Sequence, residues 1–170
     1  YLVVEKILRR GEPLPDEWPA YGTTGYDFLN ALNGLFVDRN NAKAFDAIYS
    51  RFIRERINFK ELAYRCKKLI MDAAMSSEIS VLGHQLDRIS EQDRRSRDFT
   101  LRSLTEAIRE VIACFPVYRT YIRDADVSER DRRYVELAVT RARRKNPAVS
   151  ESCFYFVRDI LLLEYPDHAD

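Results

Sequence analysis

Glycine and proline are spread so unevenly along this chain that they dictate where loops can give way to helices. Four of the five glycines (Gly11, Gly22, Gly25, Gly34) and three of the six prolines (Pro13, Pro15, Pro19) precede residue 35. Punctuation that dense marks turns and short extended segments. Between Asn40 and Phe115 the only glycine is Gly83 and proline is absent, so long helices are favoured there.

Apolar periodicity agrees with that division. Phe45, Ile48, Tyr49, Phe52 and Ile53 recur at helical spacing behind Asp38 as N-cap. Asn58 and Glu61 have the spacing of a capping box for a helix with the stripe Leu62, Cys66, Leu69 and Ala73. Met75, Ile79, Leu82, Leu86 and Ile89 continue at coiled-coil-like intervals, over too short a span to specify an oligomer, so packing within the chain is expected. Leu101, Leu104, Ile108, Val111 and Ile112 form another amphipathic set. Ser128 is expected to cap a helix carrying Tyr134, Val135, Leu137 and Ala138, which ends before Asn146-Pro147. Ser150 caps a last one with Cys153, Phe156, Val157, Ile160 and Leu161 on one face.

Two segments read as strands: Val3 to Leu8, and the proline-entered, β-branched and aromatic run Val117 to Ile122. The fold class is therefore mainly α with a few short strands. It divides into 1–36 (strand end and loop), 37–114 (helices) and 115–170 (short strand followed by two helices).

A net charge of +1, from 28 basic and 27 acidic residues, gives no bulk attraction to nucleic acid or to an anionic membrane. No apolar run reaches the roughly 20 residues of a membrane span, and a cytoplasmic location is expected. Cys66, Cys114 and Cys153 are odd in number and widely separated, and read as reduced core residues. His84 and His168 lack partners at metal-ligand spacing, so neither a metal nor another cofactor is expected. A chain opening on Tyr1 inside an apolar extended segment is expected of a piece of a longer protein. An exposed edge at Leu2 to Leu8 would invite strand-mediated pairing of two copies.

Strand alternation puts Glu5 on the face opposite Lys6, so the two are not expected to pair. A carboxyl at the end of a strand is where eight-stranded α/β barrels place catalytic groups, and it is equally where an exposed edge carries an ordinary glutamate. Thr23, Thr24, Gly25, Tyr26 and Asp27 offer hydroxyls, backbone amides, an aromatic face and a carboxylate, a mixture that suits a sugar. The same residues also suit a glycine turn leading into a capped helix. Tyr118, Arg119 and Tyr121 combine aromatic faces with a cation, serving a ligand or a buried edge. The basic cluster Arg141, Arg143, Arg144 and Lys145 fits a helix C-terminus, and Arg94, Arg95 and Arg97 a solvated turn.

Taken in order, Val4-Glu5-Lys6-Ile7-Leu8, Gly11-Glu12-Pro13-Leu14-Pro15, Trp18-Pro19, Gly22 to Phe28, Asn33-Gly34-Leu35-Phe36-Val37-Asp38 and Phe115-Pro116-Val117-Tyr118-Arg119-Thr120-Tyr121 resemble the maltooligosyl trehalose synthases. That family is a branch of the α-amylase superfamily, glycoside hydrolase family 13. The resemblance implies a helical insertion belonging to a larger (β/α)8-barrel enzyme. It implies an isomerase that converts the reducing-end α-1,4 bond of a maltooligosaccharide into an α,α-1,1 bond by intramolecular glucosyl transfer.

By the same resemblance Glu5 matches the general acid/base, and Lys6, Thr23, Thr24, Gly25, Tyr26, Asp27, Tyr118, Arg119 and Tyr121 are the expected substrate contacts. The nucleophile and a third carboxylate lie outside residues 1–170, so the chain alone is expected to be inactive and to need the remainder of the barrel as partner. The run Phe115 to Tyr121 is a candidate for the wall that keeps water out. Two other readings stay open: a non-catalytic helical module for interaction or regulation, and an α-glucan hydrolase of the same superfamily.

Overall fold

A computed structural model describes residues 1–9, 11–123 and 126–164; His168 lies outside the described residues. The chain forms two compact units that meet in sequence at Ile57 and Asn58. Among the described residues the regular structure is helical, as expected, and no helix is long and apolar enough to cross a membrane.

The first unit carries α1 (Tyr26–Gly34), a 3₁₀ turn (Arg39–Asn41) and α2 (Ala42–Ile53). Asp38 caps the 3₁₀ turn through the Asn40 N–H, 2.9 Å away. Arg54 ends α2 in the left-handed conformation at φ 57°, where its N–H donates to the Ser50 carbonyl. Neither α1 nor α2 contains a buried residue. The expected stripe of Phe45, Ile48, Tyr49 and Phe52 is exposed, with Phe52 at 83%.

The second unit is a bundle of α3 (Phe59–Ala73), α4 (Ser76–Ser90), α5 (Leu101–Cys114), α6 (Glu129–Lys145) and α7 (Glu151–Leu161). Helix α5 lies at its centre and packs against all four others. Its Leu104, Ala107 and Val111 meet Leu86 of α4, Val135 and Ala138 of α6, and Phe154 and Val157 of α7 in one core. Side-chain caps begin every helix of the bundle except α4, which starts behind Met75 without one. Asn58 accepts from the Lys60 and Glu61 N–H groups, Ser128 from Asp131, and Ser150 from Cys153. Thr100 and Ser103 form a reciprocal capping box at the start of α5.

Helix α3 departs from its expected face. Cys66, Leu69 and Ala73 are exposed, and the helix turns Tyr64, Lys67, Lys68 and Met71 toward the bundle. The reason is Glu110, a carboxylate only 1% exposed on α5. It accepts the Tyr64 hydroxyl at 2.6 Å and the Lys68 ammonium at 2.5 Å, with the Asn146 amide at 3.4 Å. Lys67 Nζ adds a bond to the Phe115 carbonyl at the C-cap of α5, where a cation opposes the helix dipole. Glu61 pairs with Lys145 across to α6, which draws it away from the capping box expected with Asn58. Cys66 is thus a surface residue rather than a core one, Cys114 is half-buried, and Cys153 is in the core.

Both expected strands are absent. Val3 to Leu8 contributes a single parallel bridge, Val4 to Thr23, and Val117 to Ile122 runs irregularly, followed by one antiparallel bridge from Arg123 to Asp126. β-Propensity expresses how well side chains fit a pleated surface, and neither run has a ladder to join. The turn at 91–98 is also less solvated than expected. Asp93 and Ser96 are buried, the Arg95 guanidinium grips Asp93, and the Ser96 hydroxyl donates to the Ser90 carbonyl at 2.9 Å.

Gly83 sits on the buried face of α4 where a Cβ would overlap the hydroxyl of Thr105, itself bonded to the Leu101 carbonyl at 2.7 Å. Gly83→Ala should therefore destabilise the bundle by about 1–3 kcal/mol in chemical denaturation, outweighing the ~1 kcal/mol that alanine gains in a helix. Adding Thr105→Ala should recover most of the loss; an unchanged midpoint for Gly83→Ala would rule out the close approach.

Burial and the bond to Glu110 hold the Tyr64 phenol well above its ordinary 10.0, and burial raises the Cys114 thiol above 9.0. Above those values the unfolded chain loses protons that the folded chain keeps, so stability is retained below about pH 9 and falls as pH rises. Thermal unfolding between pH 8 and 11 should fall more steeply in the wild type than in Tyr64→Phe; parallel curves would mean that the folded phenol ionises like the unfolded one.

Candidate active site

Val4 anchors the loop that gathers the candidate residues of the first unit. Its N–H donates to the Gly22 carbonyl at 3.0 Å and its carbonyl accepts from the Thr24 N–H at 3.1 Å. The Leu2 carbonyl accepts from Tyr21 at 2.9 Å, and the Tyr1 and Tyr21 rings stack with centroids 5.2 Å apart. Gly25 then reverses the chain into α1 at φ 112°, a conformation that side chains resist, and its carbonyl accepts the Leu29 N–H.

Through this turn the chain brings Glu5, Thr23, Thr24, Gly25, Tyr26 and Asp27 together. The Glu5 carboxylate is exposed, and the Tyr26 hydroxyl points at its Oε1 from 3.4 Å, longer than the ~2.7 Å of a tight O–H···O bond. The Thr23 hydroxyl donates to Asp27 Oδ2 at 2.9 Å, and Asp27 lies in the first turn of α1, where the helix dipole favours a carboxylate. The result is an open carboxyl beside a phenol, two hydroxyls and a second carboxylate. Such a set can hydrogen-bond a polyhydroxylated ligand and exchange a proton with it.

Lys6, unlike Glu5, is turned inward. It is 8% exposed, and its ammonium lies 2.8 Å from Glu12 Oε1 in an ion pair whose side chains are each 7% exposed. The second oxygen of Glu12 accepts the Arg9 N–H at 3.0 Å. Reasoning from sequence missed Glu12; its signal was an opposite charge six residues beyond Lys6, across the turn at Gly11.

Tyr118, Arg119 and Tyr121 belong to the helical unit and follow the bend at Pro116. Tyr118 is 84% exposed, and the Arg119 guanidinium lies 5.0 Å from the Tyr121 ring centroid while its Nε donates to the Thr120 carbonyl at 3.0 Å. The pair makes a flat cationic and aromatic surface. In the basic cluster of α6, Arg143 stacks on Tyr155 and pairs with Glu151, and Lys145 covers the Tyr64 ring. Among the described residues no three His, Cys, Asp or Glu side chains converge as a metal-binding group.

No protein-family model and no curated protein matches the chain. Among solved structures it is similar to a DSM5389 glycosyltrehalose synthase, with 28% sequence identity and a TM-score of 0.58 over 94% of this chain. The chain spans 19% of the length of that protein. Sequence blocks and backbone thus agree: this is a mainly helical chain of maltooligosyl-trehalose-synthase-like structure, matching a small part of a larger enzyme.

Proposed function

We propose that this chain supplies the acid/base carboxyl and part of the sugar-binding surface of a maltooligosyl trehalose synthase, a (1→4)-α-D-glucan 1-α-D-glucosylmutase of glycoside hydrolase family 13. The observation that carries the reading is the exposed Glu5 beside Tyr26 and the Thr23–Asp27 pair, in a chain similar to a glycosyltrehalose synthase over 94% of its length.

Glu5 acts first as acid, protonating the glycosidic oxygen of the reducing-end α-1,4 bond. A retaining displacement needs a second carboxyl about 5–5.5 Å away as nucleophile. By the family resemblance that group and a third carboxylate come from barrel strands outside residues 1–170, so these residues alone are inactive. Glu5 then acts as base, removing a proton from the anomeric hydroxyl of the released glucose, whose oxygen attacks C1 of the maltooligosyl–enzyme intermediate and forms the α,α-1,1 bond as the ester bond to the nucleophile carboxylate breaks. Thr23, Thr24, the Gly25 backbone, Tyr26 and Asp27 hydrogen-bond or stack on the sugar; by the family resemblance Tyr118, Arg119 and Tyr121 of the helical unit are substrate contacts as well. Lys6 contributes from behind the site, and the unbridged thiols Cys66, Cys114 and Cys153 support a cytoplasmic setting for trehalose biosynthesis.

The test is maltopentaose turnover by the complete protein that carries these residues. The wild type should remove reducing ends while releasing little glucose, and Glu5→Gln should lower that rate at least ~10³-fold. Free glucose as main product would mark an α-glucan hydrolase, and an unchanged rate in Glu5→Gln would leave a non-catalytic helical module. If Tyr118 and Tyr121 help exclude water, replacing both by alanine should raise the share of free glucose severalfold; an unchanged product ratio would remove them from that role.

A further inference from the structure

We infer that Glu12 is a positioning residue for Glu5, acting through Lys6. The inference rests on the acid/base role proposed for Glu5 and adds a residue to it. Glu5 itself makes one long side-chain contact, to Tyr26, so its direction depends on the backbone on either side. On one side Val4 is held by hydrogen bonds to Gly22 and Thr24. On the other, the side chain of Lys6 is drawn inward to Glu12. Lys6 is buried and its neighbour Glu5 is exposed, so the backbone that keeps Lys6 inward is the one that leaves Glu5 outward.

Glu12 is the hub of this arrangement. One carboxylate oxygen takes the Lys6 ammonium, the other the Arg9 N–H, and the Glu12 N–H donates back to the Arg9 carbonyl at 2.9 Å. Both oxygens are thus committed to the segment that follows Glu5. Burying two charges at 7% exposure contributes less to stability than a well-packed apolar pair of the same volume. What an ion pair supplies and an apolar pair does not is a fixed distance and direction, here 2.8 Å between two named atoms. Removing the Glu12 charge takes away a counter-charge of a buried ammonium and weakens the inward anchor of the backbone that carries Glu5.

The experiment compares Glu12→Gln, Glu5→Gln and the double variant in the complete protein, reading kcat and KM for loss of maltopentaose reducing ends. Glu12→Gln should lower kcat about 10- to 100-fold with KM within about twofold, because misplaced chemistry costs rate rather than binding. In the Glu5→Gln background the same change should cost nothing further, since a group that acts through Glu5 has nothing left to position. A loss that is equal in both backgrounds, or one that appears in KM, would make Glu12 merely structural and overturn the inference. If Glu12→Gln does not fold, Lys6→Arg, which keeps the charge and moves it, is read in the same way, and an unchanged kcat there overturns the inference too. Full activity of Glu5→Gln would defeat the acid/base role itself. Inactive Glu5→Gln beside fully active Glu12→Gln would defeat this inference alone.

Discussion

Burying the Glu110 carboxylate is the commitment around which the helical unit is arranged. At 1% exposure its charge needs partners, and they come from two other helices: Tyr64 and Lys68 of α3, and Asn146 at the C-cap of α6. Removing any partner would leave part of a buried charge unmatched, a larger penalty than the loss of an ordinary surface bond. Orientation follows from this requirement. Helix α3 presents a face of phenol, ammonium and thioether inward, and its apolar residues Leu69 and Ile70 stay exposed. The cation–aromatic contact of Lys145 over Tyr64 and the pair Lys145–Glu61 continue the same network from α6. Apolar packing along α5 supplies the bulk of the burial, and the Glu110 cluster selects which side of α3 takes part in it.

In the first unit order has a different origin. With no buried residue in α1 or α2, its regular structure rests on local bonds: the Asp38 cap, the left-handed Arg54, the glycine entry to α1. The segment around Glu5 is better tied, by the Val4 bridge on one side and the Lys6–Glu12 pair on the other.

Sequence periodicity read the helical unit well wherever burial is apolar. The faces of α5 and α7, and the caps Asn58, Ser128 and Ser150, lie where spacing and N-cap chemistry put them; on α6 Val135 and Ala138 are buried as expected, but Leu137 is exposed and Val139 and Ala142 complete the buried face. It failed on α3 because the inward residues Tyr64, Lys67, Lys68 and Met71 also recur at helical spacing, yet two of them are lysines that a hydrophobicity pattern counts as solvent-facing. The two strand readings failed for a related reason: propensity is local, and a strand exists only with a neighbour. On α4 the apolar repeat was legible but its centre was not. Ile79, Gly83, Leu86 and Ser90 are buried while Met75 and Leu82 remain exposed, since the close approach to Thr105 is made by a residue without a side chain. In the candidate site, hydroxyl and carboxylate composition together with family resemblance singled out Glu5 and Thr23 to Asp27. Glu12 escaped because a charge six residues beyond Lys6 is a weak signal until the two are seen to be buried together.

If Glu5 serves as acid and then as base, its carboxyl must face two sugar oxygens in succession without reorienting. A glutamate side chain has enough rotatable bonds to lose that alignment, and fixing it directly through its own oxygens would occupy the atoms that exchange the proton. Anchoring the residues before and after it avoids the conflict. Val4 is held through its backbone and Lys6 through its side chain, so neither anchor consumes a lone pair of Glu5. The contact that does reach Glu5, the Tyr26 hydroxyl at 3.4 Å, is long enough to yield when a sugar oxygen approaches. If Glu5 is the acid/base group, its two flanking residues, tied in different directions, hold its backbone without occupying its oxygens.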